Sequence, residues 1–160
     1  GSIGAGDMKK TIRILLNKFK WDKVDGKLIV VCGNNEKLYQ HLQKEYGDRL
    51  ILIRKTNQMA LYMKACDIFL SKPGGLSSTE AAVAQVPYIH MNPIPGCESK
   101  NVKYFSKTGM SIAVRHPRLE LGNALKKLDK PEYVEKMRMA QCANIPQNAR
   151  KQICDWLETL

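Results

Sequence analysis

The chain has 160 residues, 44% of them hydrophobic, and a formal net charge of +11. That is the size of one ordinary domain with a real core, and no apolar run approaches the roughly 20 residues that a membrane span needs. The charge calls for an anionic partner, but the basic residues are dispersed and form no aromatic-interleaved stripe, so nucleic acid is not expected.

Apolar residues at helical spacing (Ile12, Leu15, Leu16, Phe19) predict a helix over residues 8–19, with Asp7 as its N-cap. Residues 27–32, KLIVVC, form a short β-branched run that reads as a buried strand, and Gly33, Asn34 and Asn35 as the loop after it. Helical spacing returns over 36–46 through Leu38, Leu42 and Tyr46. Residues 50–53 read as a strand, 58–65 as a short helix and 67–71 as a strand. A helix is expected over 78–85, then a strand over 87–91 entered through Pro87. A long loop, NPIPGCES, precedes a helix near 100–108 and a strand over 110–114. The last three helices, over 117–128, 131–142 and 146–160, each have proline near the start.

Strands alternating with helices predict an α/β fold: a doubly wound, Rossmann-like parallel sheet covered on both faces. Such sheets bind ligands beyond the carboxyl ends of their strands. The loops there are residues 1–6, 33–35, 54–58, 72–78 and 92–101. The first, GSIGAGD, reads as a strand-to-helix loop, so the sheet expects a strand ahead of Gly1 and the chain reads as a piece of a longer protein. Five cysteines (Cys32, Cys66, Cys97, Cys142, Cys154) form no CxxC pair. Their spacing fits no zinc site and their odd number suits a reducing compartment.

The segment SKPGGLSSTEAAVAQVP carries the strongest chemistry. Gly74 and Gly75 allow a close backbone approach, and Ser77 and Ser78 sit at the mouth of a helix. Free amides and the helix dipole there favour phosphate, with the hydroxyls as further donors. This is a phosphate cradle without a lysine clamp. Glu80 has two readings. With Ser77 it forms a capping box, Ser-x-x-Glu; alternatively its carboxylate accepts two hydrogen bonds from a ribose diol. Further on, Pro93 and Pro95 stiffen a loop in which Gly96 permits a sharp turn. Cys97, Glu98 and Asn101 either line a pocket for a polyhydroxylated group or belong to a rigid connection with a helix cap.

The run KPGGLSSTEAAVAQVPYIHMNPIPGCESKN resembles the signature of the diacylglycerol glycosyltransferases, including plant galactolipid synthases and bacterial processive glucosyltransferases. More distantly it is similar to the GlcNAc transferase of the peptidoglycan lipid intermediate. GSIGAGDM and VVCGNN look like that family's loops after the first and second strands of its C-terminal domain. The resemblance implies one half of a GT-B architecture, with residues 1–160 as the domain that binds a UDP-sugar donor. The acceptor site and the general base are then expected in an N-terminal domain, so no catalytic residue is expected here and the domain by itself is expected to be inactive. The implied reaction is inverting transfer of a hexose to a lipid hydroxyl such as that of diacylglycerol.

Within that resemblance, Gly74, Gly75, Ser77 and Ser78 hold the diphosphate and Glu80 the ribose hydroxyls. The segment 53–59, with Arg54 and Met59, meets the uracil. Glu98 and Asn101 face the donor sugar, Gly4 approaches the phosphates or the acceptor, and Asn34 lies near the sugar or the interdomain cleft. Cys97 stands where the family usually has glutamine. A thiol is a poor hydrogen-bond partner, which puts the choice of sugar in question. The three histidines, His41, His90 and His116, match no catalytic position and are read as helix-surface, strand and loop residues. No metal and no cofactor are expected, the UDP-sugar being a substrate. The expected location is cytoplasmic, with an anionic membrane surface as a candidate partner. Two alternatives stand beside this reading: a non-catalytic nucleotide-sugar-binding subunit of a split glycosyltransferase, and a UDP-GlcNAc enzyme of the same fold.

Overall fold

The computed structural model describes residues 8–18, 26–91, 93 and 96–159. Gly4, the glycine loop around it and Asp7 therefore lie outside the described residues, as does most of the stretch 92–95.

Helix α1 (Met8–Lys18) turns Ile12 and Leu16 into one apolar cluster and Leu15 into another, as its helical spacing requires. Strand β1 (Ile29–Val31) leads through a loop at Gly33 into α2 (Glu36–Tyr46). A short 3-10 turn at Gly47–Arg49 then returns the chain to β2 (Ile51–Ile53), parallel to β1 with Val30 opposite Leu52. Helix α3 (Met59–Ala65) follows.

The second half of the chain builds a three-stranded parallel sheet in the order β3-β4-β5. Strand β3 (Phe69–Ser71) is followed by α4 (Gly75–Val83), β4 (Tyr88–Met91), α5 (Cys97–Lys107) and β5 (Ile112–Val114). All four residues of β4 are buried, as expected of a central parallel strand covered on both faces. Helices α6 (Pro117–Leu128) and α7 (Pro131–Asn144) each begin with proline in the first turn, where its missing N–H costs nothing. Helix α6 seals the largest cluster through Leu121, Ala124, Leu125 and Leu128. Helix α7 adds Met137 to that cluster, and its Gln141 amide donates to the carbonyls of Val86 and Met110. Helix α8 (Ala149–Leu157) buries no residue.

The strands are thus parallel, as expected, but they form two ladders rather than one. β1 pairs with β2, β3 with β4 and β4 with β5; no described strand bridges β1 to β3. A cleft of about 560 Å3 opens between them, lined by residues 28–31 on one side and 68–71 on the other. Ile12 and Leu15 of α1 line it as well.

Candidate functional site

The rim begins where β3 hands over to α4. The expected helix start at Ser78 moves back: α4 begins at Gly75, and Gly74 is its N-cap in an extended conformation (φ −66°, ψ 143°). Ser77 is therefore the third helical residue and not a cap. The expected capping box does not form, because Ser77 and Glu80 both lie inside the helix. A glycine N-cap carries no side chain, so no side-chain cap serves the amides of Gly75, Leu76 and Ser77. Gly75 is exposed, and a Cβ added there would meet nothing within 4 Å.

The loop ahead of that mouth is held from inside. The Tyr88 hydroxyl donates to the Lys72 carbonyl at 2.9 Å. The Asn101 amide donates to the Pro73 carbonyl at 2.8 Å. The Ser78 hydroxyl donates to the Gly74 carbonyl at 2.7 Å. Three consecutive carbonyls are thus gripped by side chains of β4, α5 and α4, which orients the intervening peptide planes. Burial pushes the Tyr88 phenol up to about 12, so it stays a donor.

Two expectations change here. Ser78 is fully buried: its hydroxyl bonds Gly74 and His90 and adds no donor at the helix mouth, because the fourth helical position faces the core. Asn101 uses its amide on Pro73, so it braces the loop and ties α5 to the start of α4. His90 itself lies on β4, wholly buried, with Nε2 2.9 Å from Ser78 Oγ and Nδ1 2.9 Å from Ser111 Oγ. Burial lowers it to about 4, so the ring is neutral. His41 is half-exposed on α2 beside Glu45, and His116 is the N-cap of α6.

Of the expected residues, Asn34, Met59, Ser77 and Glu80 line the cleft together. Met59 opens α3 and also packs against the cluster of Met63 and Tyr88. Glu80 is exposed, one turn inside α4. Arg54 is turned away: it makes a paired contact with Glu36 (Nε to Oε2 3.0 Å, Nη2 to Oε1 3.1 Å) and lies 3.7 Å over the Tyr39 ring. That pairing raises the guanidinium and lowers the Glu36 carboxyl. Gly96 is the N-cap of α5 at φ 94°, a backbone that glycine adopts without strain. Cys97 and Glu98 open α5, with Glu98 half-buried.

Lys55 and Thr56, inside the expected segment 53–59, and Lys72, at the start of the loop 72–78, line the cleft without having been singled out, and Tyr62 lines it from outside the expected segments. The cradle is therefore not without lysine: Lys72 is its first residue, and Lys55 of the β2–α3 loop lines the same cleft. The Lys72 signal is present in KPGG, and Lys55 is the second residue after the strand expected over 50–53. Two ammonium groups and an uncapped helix start suit an anion with several oxygens. A carboxylate and an amide beside them, Glu80 and Asn34, suit hydroxyls, and Met59 and Tyr62 offer apolar surface to a planar ring.

The glycosyltransferase family 28 C-terminal domain matches residues 1–153. Over 91 residues the chain is 36% identical to a processive diacylglycerol beta-glucosyltransferase of Bacillus cereus (strain B4264), covering 55% of this chain and 24% of that protein. The processive diacylglycerol beta-glucosyltransferase of Staphylococcus carnosus (strain TM300) is 31% identical over 112 residues, 68% of this chain and 28% of that protein. The matched part is about a quarter of the length of these curated relatives. Among solved structures, Acinetobacter baumannii MurG superposes with a TM-score of 0.72 at 20% identity, over 100% of this chain and 48% of that one. The glycotransferase of kitacinnamycin gives a TM-score of 0.66 at 16% identity, over 96% and 40%. These two structures speak for the fold alone: a Rossmann-like half of a GT-B glycosyltransferase.

Proposed function

The chain belongs to the glycosyltransferase family 28 C-terminal domains, and from that premise we propose that it is the donor-binding half of an inverting glycosyltransferase. The donor is a UDP-sugar and the acceptor a lipid hydroxyl such as that of diacylglycerol. One observation carries the reading: Lys55, Lys72, Ser77 and Glu80 line one cleft beside the start of α4, a helix with no side-chain cap.

In this reading the diphosphate lies against the amides of Gly75, Leu76 and Ser77. Lys72 and Lys55 supply positive charge, and the Ser77 hydroxyl a further donor. Glu80 would repel phosphate, so it points past the diphosphate and accepts from the ribose diol. Met59 and Tyr62 flank the base. Glu98 and Cys97, at the start of α5, are assigned to the donor sugar. Gly4 is assigned to the approach of phosphates or acceptor, and Asn34 to the sugar or the interdomain cleft.

When the sugar leaves, negative charge grows on the β-phosphate. Amides already aimed at that spot stabilise the charge without reorganising. No metal or cofactor is invoked. The chain supplies leaving-group stabilisation, and the general base that deprotonates the acceptor belongs to the other half of the enzyme, so this domain binds donor without turning it over. The net charge of +11 draws the protein to an anionic bilayer at roughly 1 kcal/mol per suitably placed Lys or Arg. No helix among the described residues is long and apolar enough to cross a membrane.

Calorimetric titration of the chain with UDP tests the reading. Binding is expected, and Glu80→Ala is expected to weaken it about tenfold by removing a charge-assisted pair of hydrogen bonds. A folded chain that binds no UDP overturns the assignment.

A further inference from the structure

We infer that His90 is a positioning residue: through Ser78 it holds the first turn of α4 in the orientation that presents the Gly75, Leu76 and Ser77 amides to an anion. The functional half of this inference rests on the donor-site reading above; the structural half does not.

The hydrogens of the chain can be assigned one by one. The Gly74 carbonyl can only accept, and the Ser78 hydroxyl lies 2.7 Å from it, so Ser78 donates its single hydrogen there. The contact of 2.9 Å between Ser78 Oγ and His90 Nε2 then needs its hydrogen from the ring. His90 therefore carries Nε2–H, and in the neutral ring Nδ1 is a bare acceptor. Ser111 Oγ, 2.9 Å from Nδ1, donates to it. The order runs from Ser111, beside β5, through His90 on β4 to Ser78 on α4 and ends on the α4 N-cap carbonyl.

The Gly74 carbonyl also accepts the Ser78 amide at 3.0 Å, so both donors on that carbonyl belong to Ser78. An N-cap with no side chain has nothing of its own to fix its peptide plane. Here the plane is fixed from behind by a residue one turn into the helix, and the rotor of that residue is fixed by His90. The ring cannot swing, because Tyr88 packs against it at 4.2 Å and Phe105 at 5.5 Å between centroids. Ser78, His90 and Ser111 are all buried, so water does not compete for these bonds, and each polarises the next. None of the three faces the cleft, so His90 acts through the helix and touches no donor atom.

Nitrogen-15 correlation spectra of the chain at neutral pH test the assignment, and an Nε2–H tautomer is expected for His90. UDP titration then tests the consequence. His90→Leu is expected to lose about fivefold in affinity at a temperature where it is fully folded, the size of one hydrogen bond. His90→Gln, whose amide reaches the Nε2 position, is expected to restore most of it; a residue that only fills space would give the opposite order. If His90→Leu does not fold, Ser111→Ala takes its place, with a shift of tautomer and a smaller loss expected. An Nδ1–H tautomer, or unchanged affinity in the substituted chain, overturns the inference. If the unsubstituted chain binds no UDP, the donor reading has failed. Hydrogen exchange of the Ser78 amide then decides, with faster exchange expected in His90→Leu and equal exchange overturning the role.

Discussion

Helices α2 and α4 both follow a parallel strand, and both start at the ligand edge of the fold, yet their mouths are built in opposite ways. At α2 the N-cap is Asn35, whose Oδ1 accepts from the Leu38 amide at 2.9 Å, and Glu36 adds negative charge to the first turn. That mouth is closed by its own side chains, and an anion there would meet a carboxylate. At α4 the N-cap is Gly74, the first turn holds no acidic residue and no side chain caps it. That mouth is open. What holds it is placed behind the helix, in the Tyr88, Asn101 and Ser78 bonds to three successive carbonyls. Capping atoms at the front satisfy amides and block a ligand; bonds at the back steady the same turn and leave the amides free. The difference favours α4 over α2 as the place for the proposed anion site.

The largest expected effect separates the two supports by acid. His90 falls from an ordinary 6.5 to about 4 in the fold, so between those values the unfolded chain binds a proton that the folded chain does not. Stability therefore falls as pH drops from about 6.5 towards 4, by up to roughly 3 kcal/mol. His90→Gln should remove that part of the dependence, as read by denaturant unfolding across the window. The α2 cap contains no group that titrates there. A smaller effect is expected from making α4 resemble α2. Gly74→Asn puts a cap in front of the amides, and its Cβ meets the Ser77 hydroxyl at 3.2 Å, which can rotate away. UDP affinity should fall about tenfold, or about 1.4 kcal/mol, with thermal stability equal or slightly higher. The smallest effect comes from opening α2. Asn35→Ala should cost about 1 kcal/mol of stability and leave UDP affinity unchanged; a loss of affinity there would erase the contrast between the two mouths.

Much of this was legible in the linear pattern. The run 27–32 contains β1, and 87–91 contains β4, because short β-branched and apolar stretches have few other uses. Pro117 and Pro131 marked two helix starts because proline fits the first turn and little else. The glycine pair marked the turn where α4 begins. The start of α4 was misread for a local reason: Ser77-x-x-Glu80 satisfies the spacing of a capping box, and nothing in the linear order says that the helix has already begun at Gly75. Lys55 lies inside the expected segment 53–59 but was not singled out, because a surface lysine has no local signature.

Sequence by itself determined the alternation of parallel strands and helices, and the glycine-rich turn where an anion could be met. These follow from side-chain periodicity and backbone freedom, which are properties of neighbours along the chain. Only the tertiary structure decided which polar groups line the cleft and which face the core. Ser77 and Ser78 are adjacent and chemically identical, but a helix turns about 100° per residue, and the packing of α4 against β4 sends Ser78 to His90 and leaves Ser77 at the cleft. The fold also brings Lys55 and Lys72 to the lining of one cleft, a meeting of residues 55 and 72 that no local spacing encodes.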